Sequence, residues 1–364
     1  MNDKIKVIGM NNIVYLLGAG ASLEKVPILK DFSNKMYGAL MQLSRIDERD
    51  GTILQKAQND KEESLERYKY NLAKETKWFF SESNKHKSVD TLAKRLYLTG
   101  KLKDLNLLKN LMSLYLMWVQ TPQQYDQRYD SFLATVLKKQ DNKIKFPDNI
   151  KFISWNYDVQ FEISLVNYTN NTVLSEIHNM WGIHPNCYHP TEIENPILVK
   201  LNGTGGLFLN KANNAVQILI NDLLFDKSDE NNQFDILKKF ELIKMNPVYE
   251  SLIQFAWEET ETAKQSMKVA QDYLSKADAI VIIGYSFPIF NKEKDNELFD
   301  ALKKNRKRPT IYIQDPNAEK ILLKLKANFI EIKKRVEYEY GDGPIILVPE
   351  TNTDQFLTPD DLLN

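Results

Sequence analysis

Residues 18–22 read Gly-Ala-Gly-Ala-Ser, directly after the apolar run NNIVYLL. Glycines just past a strand let a phosphorylated ligand lie against main-chain N–H groups. The third glycine of a dinucleotide fingerprint would fall at position 23, where Leu23 stands. An altered dehydrogenase fingerprint, an intact motif of another kind and a tight turn all fit this stretch alone. Four other short clusters carry similar chemistry: Ser154, Asn156, Tyr157 and Asp158; Asn202, Gly203, Thr204, Gly205 and Gly206; Gly284, Tyr285, Ser286 and Pro288; and Asp315, Pro316 and Asn317. They are small, polar or amide residues with almost no cations. Such a set suits a ligand held by backbone N–H groups and neutral side chains. Each cluster also has a plainer reading. Asp158 can cap the helix beginning VQFEISL, Asn156 can occupy a turn, and GYS can be a packing turn. Their coincidence favours a site.

Each cluster ends an apolar run, and the runs are what must position them. IVYLLG (13–18), KFISWN (151–156), ILVKLNG (197–203), AIVIIGY (279–285), TIYIQDP (310–316) and FIEIKK (329–334) read as strands. Those at 13–18 and 279–285 lack the alternation of a half-exposed strand, so both faces should be covered. Helical segments lie between the later runs, including residues 246–278 and KDNELFDALKKN. The expected fold class is α/β, a Rossmann-like doubly wound parallel sheet. In such sheets ligands bind beyond the carboxyl ends of the strands, where the clusters fall.

Residues 31–145 break the alternation, being long, charged and helical in pattern without a convincing strand. They read as a helical insertion between segments 1–30 and 146–335 of the main domain, with 336–364 as a C-terminal tail. Within the insertion, LNLLKNLMSLYLMWV (105–119) reads as a helix buried on most faces; Lys109 and the flanking charges leave it too short to span a bilayer. Residues 204–245 are irregular, with one strand expected at AVQILI (215–220). The basic cluster KKNRKRP (303–309) reads as a solvated helix end.

The 364 residues are 43% hydrophobic and 27% charged with net charge −1, which gives no bulk attraction to nucleic acid or an anionic membrane. Cys187 is the only cysteine, so no internal disulfide can form and a reducing compartment is expected. Asp3, Lys4 and Lys6 interrupt the N-terminus as a signal peptide. A cytoplasmic location follows as the expectation.

In order, GAGAS, SWNYD, KLNG, IIGYSFP and QDPN resemble the sirtuin-like domain. The likeness is to its prokaryotic antiviral-defence branch, where GAGxS, T/S-x-N-Y-D, L-H-G and GYS-x-P occur in this order. It covers about 12–32, 150–165, 196–206 and 278–318. The resemblance implies NAD+ as substrate, bound across the sheet. Gly18, Ala19, Gly20 and Ser22 would then face the pyrophosphate and ribose. Pro27, Asp31 and Phe32 fall where the family has a flexible cofactor loop, and Gly203 belongs to the cofactor-binding set. Gly284 and Ser286 would meet the adenosine-side phosphate or ribose. Asp315 would accept from ribose hydroxyls, with Asn317 a secondary candidate. Asn156 would orient water or ribose hydroxyls at the anomeric carbon, and Asp158 would hold the nicotinamide-side geometry.

Cleaving the nicotinamide–ribose bond develops an oxocarbenium-like cation, and cationic nicotinamide leaves without a proton. Amides and one carboxylate can serve by twisting the substrate, stabilising the cation and placing water. Two features depart from the family. Its deacylating members hold a zinc ribbon with four cysteines, whereas here His178, His184, Cys187 and His189 share one short Pro-containing loop and read as solvated side chains, with no metal expected. This disfavours deacylation. The family's catalytic histidine is replaced by Asn202. Three explanations stand: a natural Asn with water activated by orientation, an introduced inactivating substitution, or binding without cleavage; His178 or His184 could supply the base. The expectation is an NAD+ hydrolase of abortive-infection defence, with Asn156, Asn202 and Asp158 as catalytic residues. Its activity would be gated by a separately encoded sensor or by homo- or hetero-oligomerisation, because little chain remains after position 320. The competing expectation is an inactive NAD+- or ADP-ribose-binding regulatory subunit.

Overall fold

Strand β1 (Ile13–Leu17) is buried along its whole length. Ile13, Tyr15 and Leu17 enter one apolar core, and Val14 and Leu16 enter another on the opposite face. This two-sided burial is why the strand shows no polar alternation. The computed structural model describes residues 12–27, 29–45, 60–120, 125–190, 195–307, 309–329, 332 and 345–359. After β1 come α1 (Leu29–Leu43), α2 (Asp60–Ser83), α3 (Val89–Leu98), α4 (Leu102–Gln120) and α5 (Gln127–Val136). The hairpin β2 (Lys138–Gln140) and β3 (Lys143–Lys145) follows, then β4 (Ile150–Ser154), α6 (Gln160–Leu165), α7 (Leu174–Trp181), β5 (Ile183–His184) and β6 (Leu198–Lys200). The chain continues through β7 (Leu207–Asn210), β8 (Val216–Ile218), α8 (Glu230–Met245), β9 (Tyr249–Ser251) and α9 (Glu261–Lys276). It ends with β10 (Ala279–Ile283), α10 (Lys292–Phe299), β11 (Thr310–Gln314), α11 (Ala318–Asn328) and β12 (Ile346–Glu350).

Among the described residues the main sheet has seven strands in the order β12-β11-β10-β1-β4-β6-β5. Every pair in it is parallel. The doubly wound parallel sheet expected from the apolar runs is therefore present. The chain winds outward from β1 through β4 and β6, then returns to its other side at β10. The topological switch point thus lies between β1 and β10, with Ile13 beside Ala279. One face carries Phe152, Val281 and Ile283 against α1–α8, including Met36, Leu108 and Phe132. The other carries Ile280, Ile282, Ile311 and Ile313 against α9, α10 and α11 through Leu274, Phe299 and Leu325.

Several local expectations change. Helix α4 is deeply buried, as its composition suggests, and Lys109 within it is tied to Glu258 at 2.6 Å. The segment 31–145 does contain strands. The β2–β3 hairpin turns at Asp141 and Asn142, both at positive φ, and its strands are wholly exposed, so no apolar pattern marks them. Residues 246–278 are not one helix, because Tyr249–Ser251 pairs with β7 and α9 starts only after the Thr260 cap. The run at 329–334 falls largely outside the described residues, while β12 pairs parallel with β11 at the sheet edge. Among the described residues no helix is long and apolar enough to cross a membrane.

Candidate active site

The loop after β1 makes a short 3-10 turn, Ala19–Ser22, against the loop after β10. The two loops meet backbone to backbone. Gly18 N donates to Ile283 O and Gly20 N to Gly284 O, both at 2.9 Å. Gly284 has φ +60°, and a Cβ there would lie 2.5 Å from the Gly20 backbone. The glycines are thus required by the seam itself. Their consequence for binding differs from the expectation: the Gly18, Gly20 and Ala21 N–H groups are spent inside the protein, Ala21 N on Gly18 O.

Two cavities flank the seam. One, about 140 Å³, is lined by Ala19, Asn156, Asp158, Asn202, Gly284 and Ser286, together with the aromatic residues Phe32, Trp155, Tyr157, Phe255, Trp257 and Tyr285. The Trp155 and Tyr285 rings stack at 5.9 Å, and Phe255 and Trp257 at 4.8 Å. The other, about 610 Å³, is lined by Ala19, Gly20, Gly284, Ser286, Asp315 and Asn317, with Arg128, Lys320 and Lys324 added. Ala19, Gly284 and Ser286 belong to both. The structure therefore brings most of the expected residues together around one seam. Gly18, Ser22, Asp31 and Gly203 line neither cavity. Asp31 is exposed on the first turn of α1. Gly203, at φ +72°, is fixed by packing, since a Cβ would fall 1.8 Å from Leu252 O.

Ser22 is fully buried. Its hydroxyl donates to Asp158 Oδ1 at 3.1 Å and lies 3.5 Å from Asn156 Nδ2. Its place is therefore behind the wall, positioning both residues, rather than facing a pyrophosphate. Asn156 Nδ2 donates to Gly18 O at 2.9 Å, which ties the β4 loop to the β1 loop. Asp158 Oδ1 also accepts from Gln160 N at 3.1 Å while lining the cavity, but the N-cap position of α6 is Val159, so Asp158, expected as the cap, stands one residue before it. Burial raises its pKa, partly offset by Lys200. Asn202 Nδ2 donates to Trp155 O at 3.0 Å. Its Oδ1 is buried with no partner among the described residues.

Beneath this wall, Lys200 Nζ donates to Asp158 O and, at 2.7 Å, to Glu162 Oε1. Burial opposes charge on Glu162, yet Lys200 and His178 outweigh it and lower the carboxyl to about 2. His178 lies 3.4 Å from Glu162 Oε1. Burial works against its charge, but Cys187 and Glu162 prevail and raise it to about 9. His184 is lowered to about 4 by burial and by His178. His178, His184 and Cys187 are buried, which corrects the expectation of solvated loop side chains; only His189 of the four is exposed. Neither His178 nor His184 lines either of these two cavities, and no group of three metal-ligating side chains occurs among the described residues.

Sequence reasoning missed the cations and one acid. Arg128 on α5 donates from Nη2 to Gly20 O at 2.9 Å and pairs with Asp126 at 2.5 Å. Lys324 Nζ donates to Ser286 O at 2.9 Å. Lys320 and Lys324 stand one helical turn apart just after QDPN, a spacing that could have revealed them. Arg128 and Asp90, which lines the aromatic cavity, arrive from helices with no motif.

No protein-family model matches the chain, and no curated protein matches it. Among solved structures, it is similar to a Sir2 homologue bearing a serine-to-alanine substitution in complex with ADP-ribose, at 12% identity, with 87% of this chain and 86% of that one covered and a TM-score of 0.38. It is also similar to Sir2 in complex with an inhibitor, 2'-O-acetyl-ADP-ribose and a deacetylated p53 peptide, at 12% identity, 84% and 82% coverage and a TM-score of 0.31. Neither superposition is close enough to bear on the site; the fold class rests on the strand order.

Proposed function

We propose that the chain is a sirtuin-like NAD+ hydrolase that releases nicotinamide and ADP-ribose. The observation that carries this reading is the pair of unlike cavities sharing Ala19, Gly284 and Ser286 across the switch point. A small aromatic chamber beside a larger cationic hollow matches a ligand with a planar cationic ring at one end and phosphates and a ribose beyond. Nicotinamide would occupy the aromatic side, and the adenosine half the side of Asp315, Lys320 and Lys324. With Nδ2 committed to Gly18, Asn156 offers its amide oxygen to a ribose hydroxyl or water. The unpartnered Asn202 Oδ1 offers a second acceptor. Charge developing on the ribose would be stabilised by these oxygens and by Asp158. The reading needs no metal.

The gated defence role, a sensor or oligomerising partner that contacts the helical segment 31–145, the division into that segment and a sheet domain, and a cytoplasmic setting belong to the same proposal; β12, within the expected 336–364 tail, is a strand of the sheet domain instead. Incubation with NAD+ and chromatographic detection of nicotinamide tests it; binding with no release under any condition refutes hydrolysis. The second reading, a regulatory subunit that binds ADP-ribose, is favoured by one observation: Asn202 occupies the expected base position and its amide nitrogen is tied to Trp155 O.

A further inference from the structure

We propose that Asp90 is the general base of this site, taking the proton from the water that attacks the ribose in place of the histidine absent at position 202. The inference rests on the hydrolase reading. Asp90 lines the same aromatic cavity as Asn156, Asp158 and Asn202. It comes from the first turn of α3, whose start is fixed by Ser88 accepting from Thr91 N. The two carboxylates of this cavity are in different circumstances. Asp158 is engaged by Ser22 and Gln160 and has Lys200 behind it. Asp90 has no hydrogen bond to its carboxylate among the described residues, which leaves it free to hold a water. The histidines that might have served are buried and line neither of these cavities, and His178 lies against Glu162.

The surroundings suit the task. The β4–α6 loop faces the cavity with Tyr157 and Asp158, and α4 carries Lys109, already paired with Glu258. On α3 itself, Lys94 lies 4.9 Å from the Trp257 ring centroid. Burial raises Asp90 to about 6. A carboxylate so placed is ionised at neutral pH and is a better proton acceptor than an ordinary aspartate. In the step, the C1'–N bond breaks and its electron pair passes to the pyridinium nitrogen, giving neutral nicotinamide. The water oxygen bonds to C1', and its proton passes to Asp90 and then to solvent.

The test compares wild type, Asp90→Asn and Asp90→Glu, with protein in excess over NAD+, from about pH 5 to about pH 9. For Asp90→Asn, the single-turnover rate constant should fall about 10²- to 10⁴-fold while the calorimetric Kd for ADP-ribose stays within about threefold. The wild-type rate should climb with pH and level off above about 6, and the Asn variant should lose that rise. Asp90→Glu should recover part of the activity. Asp90→Asn within about threefold of wild type, equal rates for the Asn and Glu variants, or a parallel loss of ADP-ribose affinity would each overturn the assignment and leave the hydrolase reading intact. A wild-type protein that binds ADP-ribose and releases no nicotinamide overturns the hydrolase reading first, and the role of Asp90 with it.

Discussion

On the β1–β10 side of the site side chains are missing where they would do harm; on the β4–β6 side they are concentrated. Gly18, Gly20 and Gly284 bring two loops into backbone contact, and the Gly18 and Gly20 N–H groups close the seam on Ile283 O and Gly284 O. Across from them, Asn156, Asp158 and Asn202 project over a buried layer of Glu162, Lys200 and His178. A wall made of backbone admits almost no substitution. A wall made of side chains can keep its shape while its chemistry changes, and Asn202 is such a place.

Substitutions on the two sides should therefore fail differently. Gly284→Ala places a Cβ 2.5 Å from Gly20 and strains a positive φ, so loss of folding, read as an absent thermal transition, is the expected result. A normal melt would show that the seam yields. Lys200→Met leaves the Asp158 carbonyl without its donor and Glu162 with only His178 beside it, and should cost about 3–5 kcal/mol in urea unfolding. Adding Glu162→Gln should return part of that loss. Asn156→Ala should lower nicotinamide release about 10²-fold through lost orientation while the protein stays folded; full activity would remove Asn156 from the site. Asp295, held by Tyr285 at 2.8 Å, is raised to about 8 by burial. Because this folded pKa lies above the unfolded one, its stabilising effect is complete below about 4 and is lost as pH rises through about 8. Asp295→Asn should accordingly raise the melting temperature more at the alkaline end of that range than at the acid end. The smallest effect is expected for Asp315→Ala: KM for NAD+ raised about fivefold with kcat kept, as for one ribose hydrogen bond.

The sheet and the five loops at its carboxyl edge were legible because period and punctuation are local signals. Ser22 was seen, but its direction was not: whether a serine faces ligand or core depends on Asp158, 136 positions away. The glycines were legible as glycines, while their reason, the Gly20–Gly284 approach, joins distant segments. Arg128 and Asp90 sit in helices whose sequence shows only amphipathic packing, so nothing local distinguished them. The end of the chain was equally silent. Gln314 Nε2 donates to Asn352 O and Gln355 O, and Thr353 O accepts from Arg128, contacts that no periodicity encodes.

The strand order has a consequence for how the molecule comes to exist. Strand β1 is the central strand of the sheet and the first of its strands in the sequence, and the Asn12 N–H beside it is satisfied by Asp278, 266 positions later. During synthesis, a wholly apolar strand must wait for β10 before both its edges are covered. Contacts of such separation close slowly, and an uncovered edge invites pairing with other chains. Shelter for the nascent N-terminal segment should therefore matter more for soluble yield than any single side chain at the finished surface.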